Sequence, residues 1–181
     1  MGPYRHAAAL LAACVFLCSC SAMAPVRSSG AFGGPAPLDR LIIYASPDFS
    51  PEASHEVGDT SIGGWTEPGV RQFARYFAVA FSKKFPPMVA AHGVRILDEE
   101  RGQPVLSVQV SAYQVQCRAA CETLVRIDGS LIDGDAAEKW SFSDWLNPEE
   151  VDSAGFDKLL NNILAAMIHD GVISAANGVK S

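Results

Sequence analysis

Val70, Phe73, Phe77, Phe81 and Phe85 recur every three to four residues, with Ala74, Ala78 and Ala80 between them. Arg71, Gln72, Arg75, Ser82, Lys83 and Lys84 fall largely on the other side of the helical wheel. This spacing predicts an amphipathic helix opened by Thr66-Glu67-Pro68 and stopped by Pro86-Pro87, with Lys83 and Lys84 near its C-terminal dipole. A second stripe, Phe156, Leu159, Leu160, Ile163, Leu164, Met167 and Ile168, predicts a last helix over 153–173. Four phenylalanines in a row suggest a ligand face, but packing against a sheet is the simpler reading.

Between the helices the period changes from 3.6 to 2. Leu41-Ile42-Ile43-Tyr44 and Val94 to Leu97 are short apolar runs suited to buried strands. Leu106, Val108, Val110 and Ala112 share one face of a long strand; the apolar set then switches to Tyr113 and Val115, which requires a bulge or an edge crossing. Thr123, Val125, Ile127, Gly129 and Leu131 alternate on a return strand. Asp133-Gly134-Asp135 makes a turn, and Trp140 and Phe142 alternate with Lys139, Ser141 and Ser143 on another strand. The order predicts an α+β domain: a mostly antiparallel sheet of four to five strands with two amphipathic helices packed on one face.

The N-terminus follows a different logic. Arg5 and His6 precede thirteen uncharged residues, Ala7 to Ser19, a run too short for a transmembrane helix. It ends in Leu17-Cys18-Ser19-Cys20. This resembles the lipobox of bacterial lipoproteins: an aliphatic residue, two small residues, then cysteine. The resemblance implies cleavage before Cys20 and acylation of its thiol and new amino terminus. Leu11-Ala12-Ala13-Cys14 also fits the letters, but a cut there leaves only about seven apolar residues before it. Ser21 after the lipidated cysteine implies, in that family, release to the outer membrane, with the body facing the periplasm. The predicted organisation is a signal peptide over 1–19, a lipidated N-terminus and flexible tether over 20–39, one domain over 40–175 and a tail over 176–181.

Composition narrows the partners. The chain has 181 residues and a formal net charge of −6, with no basic patch, so it predicts no nucleic-acid partner and no polybasic grip on lipid. Membrane attachment is expected through the lipid anchor alone. Cys117 and Cys121 close a Cys-Arg-Ala-Ala-Cys loop between two strands. In an oxidising periplasm they are expected to form a disulfide, since zinc would need two more ligands.

No serine elbow, phosphate loop or dinucleotide fingerprint occurs, and no cofactor or metal is expected. The densest polar cluster is Asp48, Glu52, His55, Glu56 and Asp59, in a long irregular loop that leaves through Trp65. A loop of that length is often functional, so these six residues are the expected partner contact. The layout resembles small α/β lipoproteins of Gram-negative envelopes, such as those of lipopolysaccharide assembly and lipid transport. The resemblance implies a non-enzymatic accessory or assembly factor that docks on an envelope protein. The alternative is a carrier or sensor that holds an amphiphile among Phe77, Phe81, Trp140 and Phe142.

Overall fold

A computed structural model describes residues 26–49, 67–98, 101–117, 121–150 and 154–175. Its elements are β1 (Arg27–Ser28), β2 (Arg40–Ala45), α1 (Glu67–Ala90), β3 (Arg95–Leu97), β4 (Val105–Cys117), β5 (Cys121–Ile132), β6 (Glu138–Leu146) and α2 (Ala154–His169). They form one six-stranded sheet in the order β1-β6-β5-β4-β2-β3. The fold is α+β, with both helices on one face.

The sheet is mixed. β4, β5 and β6 form the expected antiparallel meander. β2, however, runs parallel to both β3 and β4. The connection from β2 to β3 passes through α1, and a helical crossover returns the chain in the same direction. Leu41 is fully buried, as a strand between two parallel neighbours should be.

The predicted face switch in β4 is a register shift between Val110 and Ala112. Ser111 takes up the extra residue, so Leu106, Val108 and Val110 and, past the bulge, Tyr113 all face the core. The Phe stripe is core: Phe73, Phe77, Phe81 and Phe85 are at most 1% exposed. Phe77 packs edge-on against Phe156 of α2, with ring centroids 5.9 Å apart. Each such ring contributes about 1.5–3 kcal/mol on burial.

Three boundaries depart from the sequence reading. First, α1 runs through Pro86 and Pro87 to Ala90. The carbonyls these prolines leave unpaired belong to Ser82 and Lys83, on the exposed side where water reaches them. Phe85 and Val89, both 0% exposed, hold the last turn to the core. Lys83 and Lys84 therefore do not cap the helix; its last turn holds no basic residue.

Second, α2 ends at His169, before the expected 173. Gly171 has φ +79°, Val172 N–H donates to Met167 O at 2.8 Å and Gly171 N–H to Ile168 O at 3.2 Å. This is a Schellman cap, closed by contact between buried Met167 and Val172.

Third, residues 26–39, expected as part of a flexible tether, are seated on the body. Val26 is buried, β1 pairs with β6, and the N–H groups of Phe32, Gly33 and Leu38 donate to the carbonyls of Asp170, Lys139 and Val172. Residues 26–39 have no helical or strand period, yet their apolar anchors and backbone donors find partners on the body. β1 is thus the strand that the expected four to five lacked.

Candidate functional site

The edge where β1 joins the sheet gathers the most unusual polar chemistry. Asp170, directly after α2, has a side chain only 6% exposed. Its Oδ2 accepts a hydrogen bond from Trp140 Nε1 at 2.8 Å, and its Oδ1 lies 2.9 Å from His169 Nδ1. The Ser28 side chain also hydrogen-bonds this carboxylate. Burial pushes the Asp170 pKa up, but the bonds from Ser28, His169 and Trp140, with the charge of His169, outweigh it and hold the carboxyl below its usual range. One acceptor group thereby ties β1, β6 and the end of α2 together.

Serine, histidine and aspartate meet here in the wrong order for nucleophilic catalysis. A triad places the imidazole between hydroxyl and carboxylate. Here the carboxylate is in the middle, the Ser28 hydroxyl is spent on it, and His169 is 88% exposed. The arrangement seats a strand and does not prime a hydroxyl.

The second feature is the sheet face away from the helices. Strand register aligns Tyr44, Ser107, Ser130 and Ser141 in one row. A neighbouring row runs Gln109, Asp128, Ser143 and Arg27. Arg126 Nε donates to Asp128 Oδ1 at 2.9 Å and to Ser143 Oγ at 3.1 Å. Apart from Tyr44, these residues floor a cleft of about 520 Å³. Tyr44 and Trp145, 51% and 41% exposed, flank it on the same face. Hydroxyls, one amide, the guanidiniums of Arg27 and Arg126 and the Asp128 carboxylate, between two aromatics, form a surface that can bind a polar partner.

The residues named from sequence fare unevenly. Asp48 is exposed, and its N–H donates to Ser46 Oγ at 3.2 Å. Glu52, His55, Glu56, Asp59 and Trp65 lie outside the described residues, as does Cys20. Cys117 and Cys121 pair directly across the β4–β5 ladder; their side chains are outside the description. Phe77, Phe81, Trp140 and Phe142 are at most 3% exposed and pack on one another and on Phe156, which makes them core and not the walls of an amphiphile cavity. Sequence reading missed Ser28 and Asp170; a lone serine in a Gly/Ser stretch and an Asp at a helix end carry no signal by themselves. Among the described residues, no helix is long and apolar enough to cross a membrane.

No family model matches the chain, and no curated protein does. Among solved structures, the PelC dodecamer from Paraburkholderia phytofirmans is similar over 83% of this chain and 100% of its own, at 17% identity and TM-score 0.38. A Xanthomonas campestris protein of DUF330 covers 81% and 94%, at 14% identity and TM-score 0.34. A minor lipoprotein from Acinetobacter baumannii covers 75% and 95%, at 12% identity and TM-score 0.29. Likeness at these scores carries no argument about what the chain does.

Proposed function

We propose that this chain is a lipid-anchored envelope lipoprotein, held in the outer membrane through Cys20 and facing the periplasm, that acts as a non-catalytic accessory factor. The open sheet face around Arg126 docks on an envelope protein. The observation that carries the docking reading is the alignment of polar side chains from β1, β6, β5 and β4 on the one face that neither helix covers. The apolar run ending at Cys20 supports the anchor. Three acyl chains, as in the lipoprotein family, hold far more firmly than one, which anchors only marginally. The inverted order of Ser28, Asp170 and His169 favours a binding role over hydrolysis. The packed core disfavours the amphiphile carrier at the place where the sequence put it.

The test uses the full chain in living Gram-negative cells. Labelled palmitate should enter the wild-type protein and not Cys20→Ala, and the variant should leave the envelope fraction. Photo-crosslinking from position 109 should capture a reproducible membrane protein, and Arg126→Glu should abolish that capture while the protein stays folded and anchored. A Cys20→Ala protein that still sediments with the envelope overturns the anchor. A capture unaffected by Arg126→Glu overturns the docking face.

A further inference from the structure

On the helix side of β1 lies a second groove, of about 510 Å³, between Val26, Ser28 and Gly30 of the incoming chain and Asn162, Ala165, Ala166 and His169 of α2. Its character differs from that of the open sheet face. Along its whole length α2 fills its inner side with Phe156, Leu159, Leu160, Ile163 and Met167, all buried. On the flank beside β1, Ala165 and Ala166 are small and leave the groove open. Gly30 sits at φ +96°, and a Cβ placed there would meet nothing within 4 Å, so the space beside it is open. The polar group at the rim, Asp170, already has Trp140, Ser28 and His169 as partners and asks nothing of an occupant. The surface between β1 and the two alanines is mostly apolar, with Asn162 and His169 as its polar edge, and it suits hydrocarbon better than a charged ligand.

Where the chain enters decides the occupant. Val26 is 6% exposed and forms part of the groove wall. Only residues 21–25 separate it from Cys20. Six Cα–Cα steps reach at most about 20 Å when fully extended. Any chain grafted on Cys20 is therefore tethered within reach of this groove, at an effective concentration on the order of mM. We infer that the groove between β1 and the C-terminal half of α2 seats a fatty acyl chain carried by Cys20 of the same molecule. The inference rests on the lipoprotein reading above. It makes the body lie with its β1 edge against the bilayer, one acyl chain passing between membrane and protein.

The experiment places p-benzoylphenylalanine at Ala165 in the full chain, irradiates membranes, and analyses the purified protein by mass spectrometry. The peptide beginning at Cys20 is read first. If it carries no acyl mass, the lipoprotein reading fails and takes this inference with it. If it is acylated, the expected product is a crosslink joining the α2 peptide to the acylated Cys20 peptide of the same chain. An adduct to phospholipid only, or none, overturns the inference while leaving the anchor intact. The photoprobe at Lys158, exposed at the other end of α2, should give no such crosslink. Ala166→Trp, which fills the groove, should abolish the adduct with the thermal midpoint unchanged. If that variant does not fold, the comparison of positions 165 and 158 still decides.

Discussion

Gly129 occupies the middle of β5, between Val108 on β4 and Phe142 on β6. Glycine weakens a strand, so Gly129→Ala would ordinarily stabilise by about 0.5–1 kcal/mol. Here the sign should reverse. A Cβ at this position falls inside the Phe142 ring, against Cε1, Cζ and Cδ1. The ring has nowhere to go: Phe142 is 3% exposed and packs on Trp140 at 5.6 Å between centroids. Trp140 is itself held by its bond to Asp170. Overpacking a closed core costs about 1–3 kcal/mol. Net destabilisation of about 1–2 kcal/mol follows, a drop of roughly 2–8 °C in thermal midpoint for a domain of this size. The assay is thermal and urea unfolding of the wild type, Gly129→Ala, Phe142→Ala and the double variant. Phe142→Ala alone should cost about 3–5 kcal/mol. In that background Gly129→Ala should become neutral or stabilising. If Gly129→Ala raises the midpoint in the wild type, or has the same effect in both backgrounds, the aromatic cover over the glycine is not what selects it.

Four further outcomes are expected. Asp170 has a folded pKa below its unfolded value of about 3.9, so its contribution is complete above that pH and is lost as pH falls through the folded value; urea midpoints of Asp170→Asn should be lower at pH 7 by about 1–3 kcal/mol of stability and converge on the wild type in acid. Asp144 works in the opposite sense: burial, only partly offset by the Trp145 N–H bond, raises its pKa, so Asp144→Asn should gain stability at neutral pH and none in acid. Gly171→Ala should cost about 1 kcal/mol, because φ +79° is strained for any side chain even where space is open, as a calorimetric midpoint will show. Cys117 and Cys121, isolated from the periplasm, should resist alkylation until reduced, read by mass.

The helices and the meander could be read from the chain because each is written in its own local period. The Phe stripe of α1, the alternation of β5 and even the bulge at Ser111 follow from neighbours in sequence. What escaped reading depends on distant partners. β1 is two residues, Arg27 and Ser28, in a stretch of Gly, Ser and Pro; only its seat on β6 and Asp170 makes it a strand. The parallel placement of β2 is decided by the α1 crossover, which its four apolar letters do not encode. Pro86 and Pro87 read as a stop because local rules omit the grip of Phe85 and Val89 on the core. Each row of the open face joins strands from separate parts of the chain, so its serines and Arg126 look like ordinary outward positions until the register is known. The acidic loop that sequence favoured as a contact falls almost wholly outside the described residues.

The two-residue β1 also sets how the molecule would respond to mechanical load. A pull on the chain before Val26 would reach Val26 first and then the two-residue edge strand β1, whose few bonds to β6 are the first that can break. Behind it stand the links from Phe32 to Asp170 and from Leu38 to Val172, each a separate stop. Strain would be shed in small steps at the rim, the first of them lengthening the leash, before any force reached the helices and the aromatic interior.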